Sequence, residues 1–405
     1  MFIGLGSMIG AGVFSAFAPA AQAAGVGLLI GLVLAAVVAF CNALASAQLA
    51  AQYPTSGGTY IYGREQLGPW WGFVAGWSFV IGKTASSAAM ALTFAAYAAP
   101  AGWEKPVGVV AVIALAAVNY RGVSRTAMAT RVIVVVVLAI LTVVVVAGFH
   151  GGLPAWAPAS ALPGGGYGIL QSAGLLFFAF AGYARIATMG EEVRDPAKTI
   201  PRAIIIALSV TVVVYALVAV VLLGTLGAGG VAASHAPLAD AVTASGLAWA
   251  SPIVRVGAAL ASLGALLALI AGIGRTSLAM AREDDIPRWL SAVHPKYQVP
   301  HRAEVVLAVL VCVLVLTVDL RGAIAFSSFG VLLYYLVANI AAFTQSGDQR
   351  RYPRVLQLLG AAGCVVLVVT LPPLGIIVGV TVVLVGVAYR LIRLRVARPE
   401  VRPGD

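Results

Sequence analysis

Two kinds of group in this sequence carry chemistry into apolar surroundings: backbone released by glycines, and a few cations set deep in hydrophobic runs. Gly6-Ser-Met-Ile-Gly-Ala-Gly-Val-Phe14 puts three glycines at the head of a long apolar segment, although each costs a helix about 1 kcal/mol against alanine. One reading is packing, because Gly6-x-x-x-Gly10 is a small-residue face that lets two membrane helices approach closely. The other is a discontinuous helix that unwinds from Ser7 to Gly12. Unwound backbone is tolerated at membrane depth only where it lines a polar cavity or binds a solute. The half-helix starting near Ala11 and Gly12 would aim amides at an anion such as a carboxylate. The freed carbonyls of Ser7, Met8 and Ile9, with Gly10 completing the loop, would accept from an ammonium. A zwitterion suits such a break.

Inverted-repeat architectures carry a second broken helix at the matching place in the other half. Five spans on, the run from Gly174 to Glu192 contains a central Gly182 among small residues, followed by Arg185. Carbonyls around Phe178, Ala179 and Ala181 are expected to face the first break, with Phe178 or Phe180 closing over a solute. The alternative for these aromatics is ordinary packing. Two cations lie within spans near the breaks. Lys83 sits about 20 Å along its helix, too deep to snorkel easily to either surface. Arg185 either snorkels toward Glu191 or Glu192, or disfavours cationic substrates. Intramembrane charges are functional by default. A lysine can exchange its proton and an arginine cannot, so Lys83 is the candidate coupling residue.

The elements that position these groups follow from composition. The 405 residues are 61% hydrophobic and 10% charged, against roughly 25% charge in a soluble chain, and mean hydropathy is +1.01. About twelve apolar runs are each long enough to cross a hydrocarbon core of about 30 Å. They cover 2–24, 27–51, 70–100, 106–120, 127–149, 168–190, 200–227, 251–281, 303–319, 322–344, 354–371 and 374–392. The predicted class is an all-α integral membrane protein, since isolated strands cannot satisfy their backbone in lipid and barrel alternation is absent. With the amino terminus in the cytoplasm, 19 of the 25 Lys and Arg fall in cytoplasmic segments, leaving Lys105, Arg255 and Arg321 outside and Lys83, Arg185 and Arg275 within spans. That asymmetry is the positive-inside pattern and places both termini inside. The net charge of +11 therefore argues against nucleic acid as a partner; the lipid bilayer is the expected one.

Several other chemistries are excluded on spacing. Gly4-Leu-Gly6-Ser-Met-Ile-Gly10 misses the dinucleotide fingerprint by one residue and follows no strand, and Gly76 to Thr84 has one residue too many for a Walker A loop. No nucleotide and no cofactor is predicted. Cys41, Cys312 and Cys364 read as small buried hydrophobes without paired spacing. His150, His235, His294 and His301 lack the spacing of a helical metal site, so no metal is assigned. No nucleophile and base share a span, which argues against an enzyme. The start has no basic residue before its apolar run and reads as a retained helix, not a signal peptide. No cytoplasmic leader precedes the first span, so the start is expected to be truncated or misassigned.

Three motifs in order resemble the amino acid–polyamine–organocation superfamily of permeases. They are Gly6 to Phe14; Phe177-Phe-Ala-Phe-Ala-Gly-Tyr183 running into Glu191-Glu-Val-Arg-Asp-Pro-Ala-Lys-Thr-Ile-Pro-Arg202; and Arg275-Thr-Ser-Leu-Ala-Met-Ala-Arg-Glu-Asp-Asp-Ile-Pro287. Tyr53-Pro-Thr-Ser-Gly-Gly-Thr-Tyr60 is similar to a further stretch of that family. The resemblance covers nearly the whole chain. It implies a leucine-transporter-like 5+5 inverted repeat with helices 1 and 6 broken, two additional helices, and alternating access. The chain would be one permease domain over 1–405, with repeats at 1–150 and 168–344, accessory helices at 354–392 and a basic tail at 393–405. Ala11 and Gly12 would take the substrate carboxylate, and the carbonyls of Met8, Phe178 and Ala181 its amine. Glu191 and Glu192 could pair with Arg275 or Arg282 as an inner gate, or form a solvated loop.

Departures from the family pattern narrow the mechanism. Some relatives place a lysine in the fifth span, where Val132 to Val146 is aliphatic apart from Thr142. Sodium-coupled relatives use hydroxyls in the eighth span, near Leu263 and Gly264 here. Cationic-substrate members carry an acid two residues past the sixth-span glycine, where Ala184 stands. The expected function is secondary transport of neutral or acidic amino acids across the cell membrane, with a proton as the coupling ion. A polyamine or organic-cation carrier and a non-transporting scaffold are the alternatives.

Overall fold

A computed structural model describes residues 2–54, 57–122, 126–150, 163–183, 186, 193 and 195–396. Among these residues the regular structure is entirely helical. In chain order the helices are α1 (Phe2–Met8), α2 (Gly12–Ser15), α3 (Phe17–Ala24), α4 (Leu28–Gln52), α5 (Thr59–Leu67), α6 (Pro69–Ala98), α7 (Glu104–Tyr120) and α8 (Thr126–His150). There follow α9 (Gly165–Phe180), α10 (Pro196–Ala233), α11 (Pro237–Ala244), α12 (Ser251–Arg282), α13 (His301–Thr317), α14 (Leu320–Thr344), α15 (Arg354–Val369) and α16 (Pro373–Val396). Among the described residues eight stretches are long and apolar enough to cross a membrane; the interrupted apolar stretch Gly4–Ser15 and the helix Arg354–Val369 are shorter.

Local sequence explains the punctuation. Proline heads α6, α10, α11 and α16, where its missing amide costs nothing because a first-turn amide has no partner inside the helix. Gly68 (φ 108°) joins the short α5 to α6, a backbone conformation that residues with a Cβ rarely adopt. Asp319 caps α14 by accepting from the Gly322 amide at 2.8 Å. α6 and α14 are the most enclosed spans and pack against each other, and α12 also packs against α6. The first-span pieces lie against α9, α10 and α12. Rows of Val, Leu and Ile on α13, α15 and α16 stay exposed, as expected of surface that lipid rather than protein would cover.

Candidate functional site

The first span is interrupted where its glycines fall, more briefly than expected. Helix α1 continues through Ser7 and Met8, so the predicted unwinding from Ser7 shrinks to Ile9, Gly10 and Ala11. The Ile9 amide still reaches Leu5 O at 2.6 Å, and Phe14 starts the next turn by donating to Ala11 O at 3.0 Å. Ala16 keeps helical φ/ψ, so α2 and α3 run on as one half-helix. Helix α9 ends at Phe180 and tightens into a 3₁₀ turn over Ala181–Tyr183.

Close approach is what the glycines serve. A Cβ on Gly182 would fall onto the Ser7 carbonyl and the Met8 amide. A Cβ on Gly12 would lie 2.7 Å from Ala179 Cα, and one on Gly10 would lie 2.9 Å from Ala265 Cβ on α12. The two interrupted spans therefore touch backbone to backbone. Packing and interruption, posed as alternatives from sequence, occur at the same residues.

Three of the carbonyls assigned to an ammonium, those of Met8, Ala179 and Ala181, already have side-chain donors. Lys83 is buried, and its Nζ donates to Ala181 O at 3.1 Å; the Tyr335 hydroxyl on α14 reaches the same oxygen at 3.4 Å. The Tyr215 hydroxyl on α10 lies 2.5 Å from Met8 O and 3.0 Å from Ala179 O. Neither tyrosine was singled out from sequence. The available signal was a phenol inside an apolar helix, alone in α10 and beside Tyr334 in α14, whose hydroxyl needs a partner once buried.

Lys83 opens onto a cavity of about 50 Å³ lined by Ser7, Ser86, Gly182, Phe79, Met90, Phe178, Leu269 and Ile273 among others. Its wall is apolar except for the ammonium and the serine hydroxyls. Ser86 shares a 2.6 Å hydrogen bond with Ser327. Phe178 belongs to this wall. Phe180 is not among the residues lining this cavity; its ring packs 5.0 Å from that of Tyr215. A second cavity of about 40 Å³ lies behind Gly6, Ser7, Ile9 and Gly10, closed by Ile133, Val134 and Val137 of α8 and by Ala261, Gly264 and Ala265 of α12. These aliphatic residues stand where sequence already lacked the lysine and hydroxyls of other coupling schemes.

Arg185, Glu191 and Glu192 lie outside the described residues, as does Ala184. Arg275 and Arg282 are exposed. The described ion pairs near the end of α12 involve the acids of its own motif. Asp285 is buried and receives Arg390 of α16, the Tyr60 hydroxyl at 2.9 Å and Arg64 at 3.5 Å. Arg64 also meets Glu283 at 2.7 Å, and Arg393 meets Asp284 at 2.8 Å. The Arg390 guanidinium lies over Trp70 and Phe73, 4.9 and 4.8 Å from the ring centroids. Burial pushes the Asp285 carboxyl above the ordinary carboxylate range, against the opposing pull of the Tyr60 hydroxyl and the two guanidinium groups. Elsewhere, Cys364 does more than fill space: its thiol lies 3.4 Å from Asn42 Oδ1, which also accepts from Asn339 at 2.6 Å.

Known proteins are similar to this chain in sequence along most of its length. The sequence profile of the amino acid permease family matches residues 1–392. A protein of Mycobacterium tuberculosis named an uncharacterised transporter is 57% identical over 399 residues, covering 98% of this chain and 90% of that one. The branched-chain amino acid permease of Bacillus subtilis is 27% identical over 382 residues, covering 88% of this chain and 82% of its own. The chloroplastic cationic amino acid transporter 7 of Arabidopsis thaliana is 28% identical over 383 residues, with 87% and 64% covered. A chain that folds as a bundle of apolar helices and matches that family from its first residue to its last span is a multi-pass transporter, and it belongs to the amino acid permease family.

Proposed function

We propose that this permease carries neutral or acidic amino acids across the cell membrane by alternating access, with Lys83 exchanging a proton as the substrate enters and leaves. The protein works as a twelve-span, 5+5 inverted repeat with both termini in the cytoplasm, and Ala11 and Gly12 meet the substrate carboxylate. The observation that carries this reading is the Lys83 ammonium on Ala181 O, facing the central cavity. A substrate ammonium placed on that carbonyl would stand against a like charge. Entry of a zwitterion therefore requires Lys83 either to release its proton or to turn toward the substrate carboxylate. Both responses link substrate binding to the charge state of Lys83.

The cavity wall supports an apolar substrate side chain. Phe79, Met90, Phe178, Leu269 and Ile273 surround it, and the Bacillus subtilis relative is named for branched-chain amino acids. No acidic side chain lines the cavity among the described residues, which supports neutral over cationic substrates.

The test is uptake of labelled leucine, glutamate and lysine into proteoliposomes, with and without an inward proton gradient. Saturable leucine or glutamate uptake that rises with the gradient is expected. Preferential lysine uptake would overturn the substrate reading, and gradient-independent uptake the coupling.

A further inference from the structure

Lys105, Arg255 and Arg321, the three cations predicted to lie outside, all line one vestibule of about 910 Å³. The half-helix after the first break reaches the same vestibule with Phe14, Ser15 and Gln22.

None of the three cations has a carboxylate partner among the described residues. Lys105 donates to Leu316 O at 2.7 Å, and Arg255 to Tyr97 O at 3.3 Å. Arg321 forks to Gln22 Oε1 at 3.2 Å and Gln171 Oε1 at 3.3 Å, and its buried Nε has no acceptor. Nearby acids are engaged elsewhere: Asp319 caps α14, and Asp240 accepts from the Ser234 hydroxyl at 2.5 Å. Glu104 is the remaining carboxylate on the vestibule wall. Cations held by neutral oxygens, one with a buried donor that has no acceptor, have hydrogen-bonding capacity suited to an anion.

The vestibule also connects to the broken helices. Arg321 holds Gln22 beyond the first break and Gln171 of α9, ahead of the second. Arg255 holds the backbone of Tyr97, whose hydroxyl donates to Phe14 O at 3.1 Å and whose ring stands edge-on to Phe14 at 5.6 Å. Phe14 is fully buried and lines the vestibule.

We infer that the vestibule is an outer anion station, where Arg321 and Arg255 hold the carboxylate of an incoming solute before it passes Phe14 and Tyr97. The station rests on the transport reading for its purpose, though not for its binding chemistry. A small inorganic anion such as chloride offers the same charge, and the test separates the two.

Purified full-length protein is heated in sodium acetate, sodium chloride and sodium methanesulfonate at matched ionic strength. Acetate is expected to raise the melting temperature above the other two salts, and Arg255→Gln and Arg321→Gln should each reduce that difference. Equal or larger stabilisation by chloride overturns the carboxylate assignment, and no acetate-specific shift overturns the station. In proteoliposomes, Arg321→Gln should raise KM for external leucine about tenfold, the scale of one charge-assisted hydrogen bond, at little changed maximal rate. Arg321→Lys should restore part of it. A loss confined to the maximal rate, or no rescue by lysine, marks Arg321 as a structural brace and overturns its role. If the protein moves no amino acid, the transport reading fails while the acetate result still judges the station.

Discussion

The Tyr215 hydroxyl stands 2.5 Å from the carbonyl oxygen of Met8, the last residue of α1 before the chain breaks. With Ala179 O only 3.0 Å away, one phenol from α10 serves both interrupted spans. A single hydroxyl proton cannot satisfy both oxygens fully, which leaves one carbonyl the better acceptor for another donor.

Tyr215→Phe removes that donor and leaves the shape of the ring. The variant is expected to unfold at lower temperature, by a loss of about 1 kcal/mol, and to show a larger proportional loss of leucine uptake. Thermal unfolding and initial uptake rates, measured side by side, check it. Uptake at the parental rate would mean that the bridge is structural only.

Lys83 separates charge from proton exchange. Lys83→Met is expected to abolish gradient-driven uptake. Lys83→Arg should keep substrate binding and lose the pH dependence, because guanidinium stays protonated. Binding by thermal shift and uptake across a pH series distinguish the two. Normal transport with an unchanged pH profile in Lys83→Met would end the coupling role.

Gly182→Ala should be severely disruptive, since the added methyl meets the backbone of Ser7 and Met8, which cannot rotate aside. Gly229→Ala is the control: a Cβ there meets nothing within 4 Å, and the change is expected to be neutral or stabilising by up to about 1 kcal/mol. Yield of folded protein by size-exclusion chromatography reads both. Gly12→Leu perturbs the helix contact at Ala179 as well as any carboxylate site, so its loss of binding would not identify the site alone.

Asp285→Asn should destabilise the protein by about 3 kcal/mol, because it strands the buried guanidinium of Arg390 without a counter-charge. Pairing Asp285→Leu with Arg390→Met should recover much of that loss. Melting temperatures of the single and double variants test the coupling, and simple additivity would rule it out.

The helical class was legible because long apolar runs leave a chain few alternatives, and the places where α1 and α9 end were legible because small residues cluster there; the expected twelve spans compare with eight stretches long enough among the described residues. The occupants of their carbonyls were not. Tyr215 and Tyr335 lie in apolar helices far along the chain from Met8 and Ala181, and nothing local says which way a phenol turns. The acids of the motif after Arg282 were legible as charges, but their partners Arg64 and Arg390 come from α5 and α16, so the pairing exists only once the helices are assembled. The break itself was overestimated at Ser7, because a helix with no β-branched or proline residue there continues until Met8.

The small size of the cavity beside Lys83 has a kinetic and thermodynamic corollary. About 50 Å³ lies well below the roughly 300 Å³ at which ligand pockets begin. On the transport reading proposed above, substrate would bind a roomier arrangement in equilibrium with this one. Measured dissociation constants will exceed the intrinsic one by the inverse of the roomier population. On that reading, substitutions far from the cavity that shift this population should alter affinity without touching the ligand, and by the same factor for every substrate that uses the same roomier arrangement.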